Sequence, residues 1–358
     1  MLPVMFKIPG IGLEIPGYGV ALMIGFLLSI MWAARRAERS GADPDVVLNC
    51  GFIALFGGVG GARVMYVVHY WEQFAGGTPM QTLIRLIDVR KGGLEVYGGF
   101  ITVVVAVLIY LWGRRHSIRW YLDILAPSAA LGMAIGRIGC FLNGCCFGGV
   151  CDLPWAVRFP YGSPAQYQQW LDRDAGAGLP QELLVFSPRG VYTDGAAVFP
   201  VSRESLRASD KEIASEPATG TKYFDMRTQM KRYNLGAAEL RNLAQKYRSL
   251  PVHPTQLYSV ITLGLLAALL SAVYWRRTRD GQVICTMLLI EPWTRWLLEL
   301  VRADNPPDTL GGFTISQFLA ICLSGVGLIG FVLLHYQPAR SPRATLWEPP
   351  APPQPAKA

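Results

Sequence analysis

Residues 17–33 read GYGVALMIGFLLSIMWA, and the reading of this run decides the fold. An apolar stretch this near an N-terminus is either a cleaved leader or a retained membrane span. Lys7 is the only basic residue before it, and the run leads into Arg35 and Arg36 instead of a small-residue cleavage site. It therefore reads as a first span over about 16–34. Six further stretches share its character, at 46–69, 97–113, 121–141, 257–275, 281–301 and 314–335. Each approaches the roughly 20 apolar residues that a helix needs to cross a ~30 Å hydrocarbon core. The 358 residues are 51% hydrophobic and 16% charged, which excludes a pair of ordinary soluble domains. The expected fold class is an all-α polytopic membrane protein with about seven transmembrane helices.

Basic residues in short loops set the expected orientation. Arg35, Arg36 and Arg39 follow the first span, Arg114, Arg115 and Arg119 the third, and Arg276, Arg277 and Arg279 the fifth. These exits are expected to be cytoplasmic, with the N-terminus outside and the C-terminus inside a bacterial inner membrane. Arg85, Arg90 and Lys91 fall in a longer outer loop together with Glu72, Asp88 and Glu95. The net charge of +8 is then mostly this bias, and no nucleic-acid partner is implied. Four segments follow: helices one to four over 1–149, a polar outer-side insert over 150–252, helices five to seven over 253–336, and a proline-rich cytoplasmic tail, expected to be disordered, over 337–358. Within the insert, FDMRTQMKRY (224–233) and GAAELRNLAQKYRSL (236–250) have helical spacing, which suits a packed head or an element lying on the bilayer surface.

Ionisable groups inside spans cost about 2.5–3.5 kcal/mol each at the centre, so each needs a reason. The sixth span, LLIEPWTRWLLELVR (288–302), places Glu291, Arg295 and Glu299 four residues apart on one drifting stripe, as an internal ion-pair ladder or as the wall of a polar cavity. The second span holds GGVGGARVMYVVHY (57–70), whose glycines suit close helix packing, with Arg63 directly after them. The fourth span ends in GRIGCFLNGCCFG (136–148), where Arg137, Asn143, four glycines and three cysteines crowd together. Three arginines from three spans suit a phosphate, which takes guanidinium donors in pairs, and a phospholipid headgroup is the phosphate expected at that depth.

GRIGCFLNGCCFG resembles the signature of the prolipoprotein diacylglyceryl transferase family, Gly-Arg-x-Gly-Asn-Phe-x-Asn-x-Glu-x-x-Gly. PGYG (16–19), GARVMY (61–66), GGLEVYGG (92–99), LPWAVRFP (153–160) and HPTQLY (253–258) fit the family in order, as do Arg295 and Glu299. The resemblance covers most of residues 15–335 outside the insert. It implies transfer of the diacylglyceryl group of phosphatidylglycerol to the lipobox cysteine thiol of a prolipoprotein in the membrane, without cofactor or metal, releasing glycerol phosphate. On that reading Arg137 and Arg295 hold the phosphate with Arg63 as a third cation, and Asn143 and Tyr18 orient lipid oxygens. Gly98, Gly99 and Gly148 allow close approach, Glu299 fixes Arg295 or takes the thiol proton, and His253 anchors the segment before the fifth span.

Four positions depart from the family pattern. Cys140 stands for the signature's first Asn, Cys145 for its Glu, Tyr97 for the histidine of a His-Gly-Gly motif, and Glu291 for a tyrosine. A tyrosine near pKa 10 is a poor base for a thiol near 8.5, so Glu291 either takes over proton transfer or merely neutralises Arg295. Cys140, Cys145, Cys146 and Cys151 leave three readings open: small side chains filling a tight helix end, a disulfide, or redox or metal chemistry. Two other functions compete with the transferase, a membrane thiol-disulfide oxidoreductase using these four cysteines and a noncatalytic lipid-binding relative.

Overall fold

The computed structural model describes residues 4–7, 14–74, 79–87, 93–186, 198–216, 222–302, 314–341, 343, 344 and 346. It is helical throughout, with α1 (Gly17–Ser40), α2 (Pro44–His69), short α3 (Trp71–Phe74) and α4 (Pro79–Ile87), α5 (Val96–Gly113) and α6 (Ile118–Asn143). The insert contributes α7 (Pro164–Leu171), α8 (Arg203–Arg207), α9 (Asp210–Ser215), α10 (Phe224–Tyr233) and α11 (Ala237–Lys246). The chain then continues through α12 (Thr255–Arg276), α13 (Gln282–Glu299) and α14 (Ile315–His335). Two small hairpins complete it, β1 (Val4–Lys7) with β2 (Glu14–Pro16) and β3 (Leu184–Phe186) with β4 (Val198–Pro200), both antiparallel.

Each of the seven expected spans is a helix within a few residues of its expected bounds. Among the described residues, α1, α2, α5, α6, α12 and α14 are long and apolar enough to cross a membrane. The remaining expected span is the helix α13, which Glu291, Arg295 and Glu299 keep below that measure among the described residues. The chain is thus a multi-pass membrane protein. Asp88, Arg90, Lys91 and residues 347–358 of the tail lie outside the described residues.

The chain divides into two compact units. One comprises residues 24–133, 263–293 and 321–358. Here α2 begins where Asp43 caps it, its carboxylate accepting from Asp45 N at 2.8 Å, with Pro44 in the first turn already holding a helical φ. α2 and α5 touch backbone to backbone: a Cβ on Gly98 would sit 2.7 Å from Gly61 O and 2.3 Å from Met65 Cβ, and one on Gly99 2.7 Å from Gly58 O. Only glycines fit such a crossing. Arg36, expected from its position to be a flank in water, is buried in this unit instead. It donates to Ile124 O at 2.9 Å and Ser128 Oγ at 3.0 Å, and its guanidinium lies 4.3 Å from the Trp32 ring. The fully buried Asp123 accepts from Gly281 N at 2.7 Å and Ile284 N at 2.9 Å, with Arg277 at 3.5 Å. The first residues of the tail join this knot, Ala339 O accepting from Asp280 N and Ser341 N donating to the Asp280 carboxylate.

The other unit comprises residues 1–23, 134–262 and 294–320. Its insert has a core of its own, in which Leu183, Val185, Met226 and Leu240 are buried. α10 and α11 therefore direct their apolar sides into protein, which decides between the two readings of those segments. Asp225 ties the insert together by accepting from Ser205 Oγ at 2.6 Å and Ser202 N at 2.5 Å.

Candidate active site

In this second unit the end of α6 meets the start of α12 and the end of α13. α6 stops at Asn143 because Gly144 takes a left-handed φ of +82°, and Cys146 follows with a φ of +58°, a conformation unfavourable for a side chain with a Cβ. What holds Cys146 there is a clamp from α12: Thr255 Oγ1 donates to Cys146 O at 2.6 Å and Gln256 Nε2 to Cys145 O at 2.7 Å. The strand-like continuation is pinned on both sides. Gly148 N donates to His253 O at 3.0 Å, His253 N to Gly149 O at 3.0 Å, and Gly149 N to Val301 O at 2.8 Å. A Cβ on Gly148 would lie 2.6 Å from His253 Cβ and 2.9 Å from Val301 O, so the glycine is there for the chain itself to close up.

His253 is bonded through both backbone and ring. Its backbone pairs with the 148–149 strand, and its ring Nδ1 lies 3.4 Å from Tyr258 Oη, which in turn accepts from Trp155 Nε1 at 2.8 Å. At the end of α13 the Glu299 carboxylate is buried, with a side chain 1% exposed, 3.5 Å from Arg295 Nη2 and 3.8 Å from Arg302 Nη1. Arg302 was not among the residues singled out from sequence. It sits three residues past Glu299 in LELVRAD and forms a bridge with Gly148. Its spacing from Arg295, seven residues and two helical turns, was the signal available.

Arg137 and Asn143 both lie on α6, Asn143 as its last residue, and the Cys145 thiol donates to Cys140 O at 3.8 Å. Tyr18 packs from α1 onto α6, where a Cβ on Gly139 would meet Tyr18 Cδ2 at 3.1 Å. The Cys146 thiol is held below its ordinary value, first by hydrogen bonds with the Cys140 and Cys145 thiols and then by the charges of Arg137 and Arg302. The sulfurs of Cys140, Cys145 and Cys146 all lie within 4.8 Å of one another and are unbridged, while Cys151 stands apart from that group.

Tyr18, Arg137, Asn143, Gly148, His253, Arg295 and Glu299 thus fall in one compact unit. Arg63, Tyr97, Gly98, Gly99 and Glu291 belong to the other. There Arg63 donates to Leu86 O at 2.9 Å, Gly93 O at 3.0 Å and Arg85 O at 2.6 Å, and its guanidinium lies 5.3 Å from the Phe74 ring. These bonds fix the chain on either side of residues 88–92. Gly98 and Gly99 face α2, as described above, and half-exposed Tyr97 precedes them. Glu291 sits one turn before Arg295 on α13.

Two arginines lie within 4 Å of one buried carboxylate, and Arg137 stands on α6 in the same compact unit; guanidinium groups of this kind are the side chains that suit an oxyanion. The class so defined is a multi-pass membrane protein with a charged arginine–glutamate cluster at a helix end. The family model described as prolipoprotein diacylglyceryl transferase matches residues 3–333. The chain belongs to that family of transferases. A phosphatidylglycerol–prolipoprotein diacylglyceryl transferase of Pseudoalteromonas translucida is 35% identical over 224 residues, 59% of this chain and 82% of that protein. The same-named protein of Rhodopirellula baltica is 42% identical over 164 residues, 45% of this chain and 33% of that longer protein, and that of Clostridium botulinum is 36% identical over 160 residues, 45% and 60%. Family membership favours the transferase over the thiol-disulfide oxidoreductase.

Proposed function

We propose that this chain transfers the diacylglyceryl group of phosphatidylglycerol to a prolipoprotein, the reaction for which its relatives are named, with the thiol of the lipobox cysteine as acceptor. The thiolate sulfur attacks the glycerol carbon of the lipid, forming an S–C bond as the C–O bond to phosphate breaks. The bonding pair leaves with the phosphate as glycerol phosphate, and the thiol proton passes to a base. Charge therefore grows on the phosphate in the transition state, which is where fixed guanidinium donors contribute most.

The observation that supports this most is the buried Glu299 between Arg295 and Arg302, in the compact unit that also holds Arg137 on α6. Arg137 and Arg295 hold the phosphate, and Arg302 adds a third positive charge. Glu299 positions the two guanidinium groups of α13 and its exit. Asn143 and Tyr18 orient lipid oxygens, and Tyr97 supplies a further hydroxyl. Glu291, on the same helix as Arg295, is the carboxylate assigned to the thiol proton. Gly148 and His253 keep the chain after α6 in place, and Arg63, Gly98 and Gly99 do the same within their own unit. Both substrates are membrane-embedded, so they enter from the lipid phase.

The setting is a bacterial inner membrane with the N-terminus outside and the C-terminus cytoplasmic. In support, the basic clusters at 35–39, 114–119 and 276–279 all fall in the same compact unit. The insert over 150–252 is the outer-side segment. The test is an assay with labelled phosphatidylglycerol and a lipobox peptide, using the purified chain. Lipid transfer should occur and fall by about 10²-fold or more in Arg137→Ala and Arg295→Ala; full activity in both variants would overturn the assignment.

A further inference from the structure

Cys140, Cys145 and Cys146 are not explained by the transfer reaction. Their sulfurs lie within 4.8 Å of one another, and sulfurs shared by one ion with bonds of about 2.3 Å stand about 4 Å apart, so little contraction separates this cluster from a coordination site. The three ligands come from a clamped element: the last turn of α6, then a loop whose carbonyls at Cys145 and Cys146 are gripped by Gln256 and Thr255. The left-handed backbone at Cys146 is maintained by that grip. Such pre-positioning removes most of the ordering that a metal would otherwise impose. Three thiolates with no nearby imidazole or carboxylate in the group select a soft, thiophilic ion of low coordination number.

We propose that Cys140, Cys145 and Cys146 form a three-sulfur site for a monovalent soft cation, Cu(I). Binding exchanges three S–H protons for one Cu(I), leaving two negative charges on the cluster. Arg137 and Arg302, both within electrostatic reach of Cys146, offset them. Cys151 takes no part. The site lies on the loop that carries Asn143, so an ion there fixes the same loop that the transfer reaction uses.

The test uses the full-length chain in detergent, reduced and titrated with Cu(I) against bathocuproine disulfonate. One Cu(I) should bind per chain in a shell of sulfur alone by X-ray absorption. Cys140→Ser, Cys145→Ser and Cys146→Ser should each weaken it by more than the about 10–100-fold typical of losing a supporting group around a metal, and Cys151→Ser should leave it unchanged. In the unaltered chain Cu(I) should shield these three thiols, and not Cys151, from alkylation. Equal binding by the triple serine variant, or shielding that fails to distinguish Cys151, would overturn the site. So would mass spectrometry showing Cys140 joined to Cys145 or Cys146 by a disulfide in chain taken directly from membranes.

Discussion

Arg36 and Arg295 are both arginines inside long helices of this membrane protein, and their surroundings differ in kind. Arg36 meets a backbone carbonyl, two serine hydroxyls and the faces of Trp32 and Tyr274. Those groups belong to α1, α6 and α12, so one side chain cross-links three helices, and Asp123 does the same for α6 and the turn before α13. Arg295 meets a carboxylate that it shares with a second arginine, and its side chain is still 25% exposed. A buried ion whose partners are neutral dipoles on other helices is a structural joint. Two cations on one buried carboxylate make instead a cluster of formal charges within a single helix and its exit.

That contrast can be broken by substitution. Arg295→Ala should lower kcat/KM for lipid transfer about 10²–10³-fold, or ~3–4 kcal/mol of transition-state stabilisation, with the melting temperature in detergent nearly unchanged. A large loss of melting temperature with normal turnover would place Arg295 in the structural class. Arg36→Ala should do the reverse, losing roughly 3 kcal/mol of stability while the folded fraction keeps its specific activity. Gly98→Ala drives a methyl against Gly61 O and Met65, and should cost about 1–3 kcal/mol, measured as a lower melting temperature that Gly98→Ser shares. Smallest is Thr255→Val, which removes the bond to Cys146 O. It should cost about 1 kcal/mol, and limited alkylation should then report a more reactive cysteine loop.

Much of the fold was legible in sequence because a bilayer imposes a long, simple signal. Seven apolar runs gave seven helices, including α13 with its charges, and the 224–233 and 236–250 segments gave α10 and α11. The site was legible in part. Arg137, Asn143, Gly148, His253, Arg295 and Glu299 were marked by type and spacing, and the unit that holds Gly148 and Arg295 also holds the others. Arg302 escaped notice because it follows the end of α13, where a basic residue reads as an ordinary flank. Asp123 and Arg36 gave no sign of their cross-linking roles. Their partners, Gly281 and Ile284 for one and Ile124, Ser128 and Ser271 for the other, are up to hundreds of residues away and mostly act through the backbone.

By itself, the sequence determined that this chain is a multi-pass helical membrane protein with an arginine-bearing, glycine-rich segment closing α6, because hydrophobic run length and residue type are local properties. Tertiary structure alone decided that Gly98 and Gly99 serve the α2–α5 crossing, that Arg63 holds a loop, and that three of the four clustered cysteines converge while Cys151 does not. Each of those depends on which distant backbone groups arrive within about 3 Å, and hydrogen bonds and steric contacts are that short-ranged.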